Sequence, residues 1–223
     1  GAGAGQAGDG QGGHDLDQCG GIGIGSPGTI NAKQGVILYS NNFGWENVPI
    51  VEELKKHLDT RIEIANDADA AALGEVCAGA AEGAENAVLL TLGTGVGSGV
   101  ILDKKIFRGA MPGGCELGHL SIRYDGIRCT CGRKGCLEAY ASASALLRIA
   151  REKAAEHPES IMNEMCGNDL EQMNGKIPFD AAKAGDEAGM ETVKEYEGYL
   201  ACGIANVINT FRPEKVILGG GVA

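Results

Sequence analysis

The sequence predicts an α/β protein. Short apolar runs of strand length recur along the chain, and most are bounded by glycine-rich or polar turns. Segments with apolar residues at helical spacing lie between these runs, and the longest of them, residues 187–210, ends just before Pro213. Alternation of strands with helices is typical of the α/β class.

The predicted elements follow one another from Gly21 onward. A helix over residues 49–58 is expected because Ile50, Leu54 and Leu58 are at helical spacing after Pro49. The predicted strands are GIGIGSPG (21–28), GVILYS (35–40), RIEIAN (61–66), two runs joined by a glycine turn in AVLLTLGTGVGSGVIL (87–102), and KVILGGG (215–221) as a buried strand entering a glycine turn. The predicted helices are 49–58, 68–83, 139–156, a short one within 161–176, and 187–210.

Residues 1–20 differ from the rest of the chain. They are rich in glycine and contain almost no large apolar side chain, so they cannot bury enough surface to fold alone. We predict that they form a flexible tail.

Composition restricts the class of protein. The chain has 223 residues, 43% of them hydrophobic, and no apolar run approaches the length of a membrane helix. Its net charge of −11 argues against nucleic acid as the main partner. With no signal peptide in view, a reduced, cytoplasmic protein without a membrane partner is expected. Five of the eight cysteines show no pairing pattern and suggest no role: Cys19, Cys77, Cys115, Cys166 and Cys202.

The segment ELGHLSIRYDGIRCTCGRKGCLE, residues 116–138, is the most informative part of the sequence. Thiolates with one imidazole suit tetrahedral Zn²⁺, and Gly132 and Gly135 supply turns that let the ligands converge. The expected ligands are His119, Cys129, Cys131 and Cys136. The alternative is a loop of reduced cysteines without metal. Glu116 lies three residues before His119, so the two share a face on a helical turn.

Three other motifs have two interpretations each on the residues alone. Asp67, at a predicted strand-to-helix junction after Asn66, is by spacing more often a helix-capping residue than a catalytic one. TLGTGVGSG, residues 91–99, is either a phosphate-binding turn or an ordinary hairpin turn, and it is not a Walker A loop. GGGV, residues 219–222, is either a ligand-contacting turn or a tight connection.

Together, E-x-G-H, C-x-C-G-x-x-G-C and L-E closely resemble the signature of the ROK family, which contains bacterial glucokinases, N-acetylhexosamine kinases, fructokinases and sugar-responsive repressors. The resemblance covers residues 21–223 and looks most like a glucokinase. It implies the two-lobed, actin-like ATPase (ribonuclease H-like) fold of sugar kinases. Residues 21–70 would then be a remnant of the small lobe, and 71–223 the large lobe.

The resemblance also implies roles for individual residues. Asp67 would be the general base for a sugar hydroxyl, and zinc would be structural. The implied sugar-binding residues are Asn66, Asp67, Glu116, His119 and Glu138, with weaker matches at Gly28 and Asn42. The implied ATP-binding residues are Gly93, Thr94, Gly95, Gly97, Gly219, Gly220 and Gly221, with Mg²⁺ accompanying the nucleotide. Many family members have Asn where this chain has Asp69, a variation interpreted as having little bearing on function.

Two departures from the family pattern lead to further expectations. The D-x-G-G-T phosphate loop is missing, and the sequence stops at Ala223. A chain truncated at both ends is therefore expected, with an incomplete small lobe, exposed edge strands and little or no kinase activity.

Several alternatives stay open. The chain could be the sugar domain of a ROK repressor, although residues 1–20 cannot form a helix-turn-helix, or a zinc-stabilised module without catalysis. Glucose is the favoured hexose, with N-acetylglucosamine, N-acetylmannosamine and fructose as alternatives. Family members are commonly homodimers, so a homodimer is expected.

Overall fold

A computed structural model describes residues 20–223, so the predicted tail lies outside the described residues except for Gly20. The strands are β1 (Ile22–Ser26), β2 (Thr29–Asn31), β3 (Val36–Ser40), β4 (Trp45–Val48), β5 (Ile62–Asn66), β6 (Ala87–Leu92), β7 (Val96–Leu102), β8 (Lys105–Ile106) and β9 (Lys215–Gly219). The helices are α1 (Ile50–Lys55), α2 (Asp67–Ala78), α3 (Glu138–Ala141), α4 (Ala143–Glu156), α5 (Ile161–Met165), α6 (Ile177–Lys183) and α7 (Glu187–Phe211), with 3₁₀ turns at Leu117–His119 and Leu170–Gln172.

The chain divides into two compact units, with the boundary after Asp67. In the first unit, β1 pairs with β5 in parallel, and β2, β3 and β4 form an antiparallel sheet. Its core is built from isoleucines of three strands, Ile30, Ile37 and Ile64, with Ile50 packed against them. β-Branched residues of this kind suit a strand surface that is buried on one face.

The second unit, Ala68–Ala223, is organised around a sheet in the order β8-β7-β6-β9. Strand β6 is parallel to β9 and antiparallel to β7. Its side chains alternate between two cores: Leu89 packs with Val76 of α2, whereas Val88 and Leu90 pack with Val207 of α7. Because both faces are covered, β6 is apolar at every position except Thr91 rather than alternating.

The structure confirms most predicted elements and changes three. The helix predicted over 139–156 is interrupted at Ser142, whose backbone is extended and whose Oγ accepts a hydrogen bond of 3.1 Å from the Ala145 amide. A serine in this conformation starts a new helix, α4. Helix α2 ends at Ala78 rather than near residue 83. The short strands β2, β4 and β8 and the helix α6 were not predicted.

The third change concerns β9, which the sequence predicts to be a buried strand. It lies at the edge of its sheet, and none of its residues is fully buried. Leu218 is 39% exposed. A short apolar run such as residues 216–218 cannot by itself distinguish a central strand from an edge strand. Within residues 20–223, no helix has both the length and the apolar character needed to cross a membrane.

The carboxylate of Asp186 connects α7 to α5. It accepts hydrogen bonds from the Gly189 amide (2.8 Å), from Ser160 Oγ (2.8 Å) and from the Ile161 amide (3.0 Å). Burial alone would raise the pKa of Asp186, but these hydrogen bonds outweigh it and lower the pKa below its usual value.

Substitution Asp186→Asn should therefore lower the free energy of unfolding by about 1–2 kcal/mol at neutral pH, as for other lost helix caps. Because the folded-state pKa is depressed, this contribution is present above the unfolded pKa of about 3.9. It is lost as the pH falls through the folded value. Urea unfolding of both proteins between pH 7 and pH 3 measures the difference. Glu197→Gln, at an exposed position in α7, is the control and should change neither quantity.

Candidate functional site

The predicted metal ligands converge in the structure. The side-chain ligand atoms of His119, Cys129, Cys131 and Cys136 all lie within 4.8 Å of one another. Cys129 Sγ is 3.6 Å from His119 Nδ1, and Cys131 Sγ is 3.6 Å from Cys136 Sγ. With Zn–S bonds of about 2.3 Å, the edges of a tetrahedral site are about 3.8 Å long. The four side chains therefore fit a tetrahedral cation.

Tight turns in the segment between Leu120 and Leu137 bring these ligands together. Gly132 and Gly135 have φ values of +89° and +77°, which side chains rarely adopt. A Cβ atom at Gly135 would also overlap the carbonyl of Arg123. The sequence predicted both glycines as turn formers, and the structure confirms this.

Tyr140 stabilises the same segment. It is 2% exposed, and its hydroxyl accepts a hydrogen bond of 2.6 Å from the Ile127 amide. Its ring lies 4.6 Å from the ring of Tyr199 in α7. The segment is therefore anchored to the longest helix of the unit, a contact that sequence spacing gave no means to predict.

The pKa values of two of the thiols are shifted in opposite directions. A hydrogen bond from the Arg133 backbone lowers the pKa of Cys131. Burial raises the pKa of Cys136 to about 12, and the neighbouring Cys131 and Cys129 thiols add to the effect. A metal ion must therefore displace the Cys136 proton at neutral pH.

A 3₁₀ turn, Leu117–His119, begins directly after Glu116 and ends at His119. The His119 amide donates a hydrogen bond of 3.0 Å to the Glu116 carbonyl. Gly118, between them, packs so closely on the Val96 carbonyl of β7 that a Cβ atom would overlap it. Glu116 precedes the turn with a non-helical backbone (φ −92°, ψ 67°), so the shared face of Glu116 and His119 stays a prediction.

Glu138 connects the cysteine segment with β7. One carboxylate oxygen, Oε2, accepts a hydrogen bond of 3.0 Å from the Val96 amide. The other, Oε1, accepts one of 3.1 Å from the Thr130 hydroxyl and lies 3.5 Å from Cys129 Sγ. Sequence analysis missed Thr130, although its place between two metal-ligand cysteines was a signal that could have been used.

The glycine turn Gly93–Gly95 connects β6 with β7. The junction of α3 and α4 holds it, since the Ala143 amide donates to the Gly93 carbonyl (2.8 Å) and Ser144 Oγ donates to the Thr94 carbonyl (2.9 Å). A Cβ atom at Gly97 would contact Thr91 Oγ1 at 2.5 Å. Within residues 20–223, no acceptor is assigned to the amides of Thr94 and Gly95. Such amides are available to an anion.

The second predicted nucleotide turn, Gly219–Gly221, lies beside the first. Strands β6 and β9 are parallel and in register, with Thr91 opposite Gly219, so both turns follow the carboxyl ends of adjacent strands. Gly220 has a φ of +103°, and a Cβ atom there would collide with the backbone of Leu92. The structure thus brings together two glycine turns that are more than 120 residues apart in the sequence.

The remaining predicted site residues belong to the first unit, and Asp67, its last residue, is the first residue of α2. Asn66 closes β5, and its Nδ2 donates a hydrogen bond of 3.1 Å to the Gly28 carbonyl. Gly28 has a φ of +110° and packs against β3 so closely that a Cβ atom would overlap the Tyr39 carbonyl. Asn42 is exposed in the turn between β3 and β4.

In the second unit, a cavity of about 280 Å³ adjoins both the glycine turn and the cysteine segment. Its lining includes Thr94, Cys129, Thr130, Glu138, Ser144 and Arg148. The guanidinium group of Arg148 is paired with Glu152, since Nη1 lies 3.1 and 3.0 Å from the two carboxylate oxygens. A group from each of two predicted sites, Thr94 for nucleotide and Glu138 for sugar, therefore faces one space.

The chain resembles known proteins over most of its length. Residues 11–223 match the model of the ROK family. A glucokinase of Thermotoga maritima is 40% identical over 203 residues, which are 91% of this chain and 64% of that protein. A xylose repressor of Caldicellulosiruptor bescii is 34% identical over 199 residues, which are 89% of this chain and 49% of the repressor.

Solved structures give the same result for the fold. A ROK family glucokinase from Streptomyces griseus, solved in complex with glucose and AMPPNP, has a TM-score of 0.79 and is 33% identical, over 91% of this chain and 65% of that one. The predicted α/β class and actin-like ATPase fold are thus confirmed. The chain spans less than two thirds of the length of these glucokinases. The family match covers nearly the whole chain, and the chain therefore belongs to the ROK family.

Proposed function

We propose that this chain binds a hexose, most favourably glucose, and belongs to the machinery that phosphorylates it with ATP and Mg²⁺. The observation that carries the proposal is the cavity that Thr94 and Glu138 share. Glucokinase relatives support it, among them the Streptomyces griseus enzyme bound to glucose and AMPPNP. N-acetylglucosamine, N-acetylmannosamine and fructose are the alternative hexoses, because the residues named here do not distinguish them.

The proposed chemistry requires hydrogen-bonding groups of fixed direction on the sugar side. Glu116 and Glu138 accept from sugar hydroxyls, and His119 presents its second ring nitrogen while the first binds the metal. Zn²⁺ fills a closed shell of three thiolates and one imidazole, so its role is to orient His119 and the segment, not to activate water.

On the nucleotide side, the turns Gly93–Gly95 and Gly219–Gly221 provide backbone amides without bulky side chains. The Thr94 amide and hydroxyl contact phosphate, and the second turn contacts the adenosine part. Asp67 accepts the proton of the attacking hydroxyl as the γ-phosphoryl group is transferred. Asn66, whose side chain donates a hydrogen bond to the Gly28 carbonyl, is proposed as a further sugar-binding residue.

A second function has support from a specific observation. The match to the Caldicellulosiruptor bescii repressor makes a sugar-binding domain without phosphoryl transfer the alternative. The two functions differ in whether nucleotide is used. The expected homodimer is compatible with both functions.

Substitution Glu116→Gln should weaken glucose binding about tenfold or more, because a lost hydrogen bond to a charged group costs about 1.5–3 kcal/mol. Calorimetric titration of the metal-loaded protein with glucose measures the dissociation constant. Glu164→Gln, exposed in α5, is the matched control and should bind like the unchanged protein. Equal glucose affinity of the two variants would contradict the sugar-binding role of Glu116.

Substitution Asp67→Asn should lower the kcat that this chain retains, which the missing D-x-G-G-T loop is expected to keep low, by about 10²–10⁴-fold, the usual contribution of a general base. It should change glucose affinity much less. A coupled assay of ADP release with glucose and ATP·Mg²⁺ measures kcat. Tight glucose binding by the unchanged chain with no phosphoryl transfer, and no effect of Asp67→Asn, would favour the repressor-type function.

Substitution Cys136→Ser should lower zinc affinity more than about 100-fold, which exceeds the loss usual for a residue that only supports a ligand. Because the pKa of Cys136 is raised to about 12, zinc binding releases its proton, and affinity should rise by about tenfold per pH unit for each proton released. Competition with a chromogenic chelator between pH 6 and pH 8 measures both effects. Cys202→Ser, exposed on α7, is the control. Zinc affinity that is independent of pH, or unaffected by Cys136→Ser, would contradict the assignment.

A further inference from the structure

Asp69 is a buried carboxylate near the start of α2. It is only 3% exposed, and its Oδ2 lies 3.7 Å from Nε of Arg108. Arg108 belongs to the segment between β8 and the 3₁₀ turn at Leu117–His119. Its side chain is 40% exposed, whereas that of Asp69 is 5% exposed. The pair therefore joins a buried anion to a partly hydrated cation.

The segment that carries Arg108 leads directly to Glu116. Gly114, with a φ of +70°, packs against the Asp69 carboxylate, since a Cβ atom there would lie 3.5 Å from Oδ2. The backbone on both sides of Glu116 is held by Ser98 of β7. Its Oγ donates a hydrogen bond to the Cys115 carbonyl and accepts one of 2.9 Å from the Leu117 amide. Asp69 and Ser98 thus hold the segment on either side of Glu116.

A further sign that Asp69 lies close to this segment comes from Cys115. Burial is the main cause that raises the pKa of Cys115, and the negative charges of Asp69 and Glu116 add to it. The negative charges of Asp69 and Glu116 therefore both lie close enough to affect the Cys115 thiol.

We propose that Asp69 and Arg108 are positioning residues for the sugar site, which set the place of Glu116 by tying its segment to helix α2. Family resemblance alone assigned Asp69 little bearing on function. Its burial and its ionic partner argue for the opposite. The proposal rests on the proposed function only where sugar affinity is concerned, because the anchoring itself can be measured without sugar.

The unequal burial of the two side chains predicts unequal effects of removing them. Arg108→Gln removes a positive charge 3.7 Å from a buried carboxylate, which is unfavourable for that carboxylate. Asp69→Asn leaves a cation that water can still hydrate, and Asn keeps the size and much of the hydrogen bonding of Asp. The double variant removes both charges together, so it should resemble Asp69→Asn rather than Arg108→Gln.

The test uses these three variants with two measurements. In calorimetric titration with glucose, Arg108→Gln should raise the dissociation constant about tenfold, corresponding to about 1.4 kcal/mol. Asp69→Asn and the double variant should stay within about threefold of the unchanged protein, since neither keeps a buried carboxylate that has lost the nearby Arg108 charge. In hydrogen exchange followed by mass spectrometry, the peptide covering residues 107–117 should exchange faster in Arg108→Gln and regain protection in the double variant.

Controls separate anchoring from general destabilisation. The exposed pair Glu85–Lys104, 3.4 Å apart, is neutralised by Glu85→Gln with Lys104→Gln, and this should alter neither measurement. Exchange in β6 should stay unchanged in all variants. The proposal is overturned if Arg108→Gln leaves exchange over 107–117 unchanged, or if adding Asp69→Asn fails to restore protection. Absence of glucose binding in the unchanged protein would contradict the proposed function, while exchange would still decide the anchoring.

Discussion

The convergence of three sulfurs and one imidazole within 4.8 Å is the constraint on which the rest of the site depends. The segment that carries them has only isolated bridges, Ser121 with Cys136 and Arg128 with Lys134, in place of regular secondary structure. Burial, with the neighbouring Cys131 and Cys129 thiols, raises the pKa of Cys136 to about 12, so this thiol resists ionisation. A bound tetrahedral cation would stabilise the thiolate and hold the segment in place, which is why we propose zinc there.

Contacts lead from this cluster to the glycine turn without interruption. Glu138 begins α3 and accepts hydrogen bonds from Thr130 on one side and from the Val96 amide on the other. Directly after α3, the start of α4 holds the carbonyls of Gly93 and Thr94. The predicted sugar-binding and phosphate-binding groups of this unit are therefore fixed relative to one another by backbone and carboxylate contacts, which is the rigidity that phosphoryl transfer needs.

The sequence was sufficient for the parts that depend on local pattern. The long helix α7, the paired strands β6 and β7, and the ligands of the metal cluster all follow from periodicity or spacing. Features that depend on residues distant in the sequence could not be predicted from it. Nothing local distinguishes β9 as an edge strand, and one apolar periodicity runs through the break at Ser142. The support of the cysteine segment by Tyr140 depends on Tyr199, which is distant in the sequence. Likewise, the proposed role of Asp69 depends on its contact with Arg108, which no local pattern predicts.

The central claim is that the metal cluster holds the sugar-binding groups in place. It is tested most directly by titrating glucose into the zinc-loaded protein and into the same protein stripped by a chelator, with circular dichroism to show that both are folded. The account predicts glucose affinity at least about tenfold weaker in the stripped protein, a coupling of about 1.4 kcal/mol. Equal affinity in the two forms would contradict it, since the cysteine cluster would then be structurally separate from the sugar site.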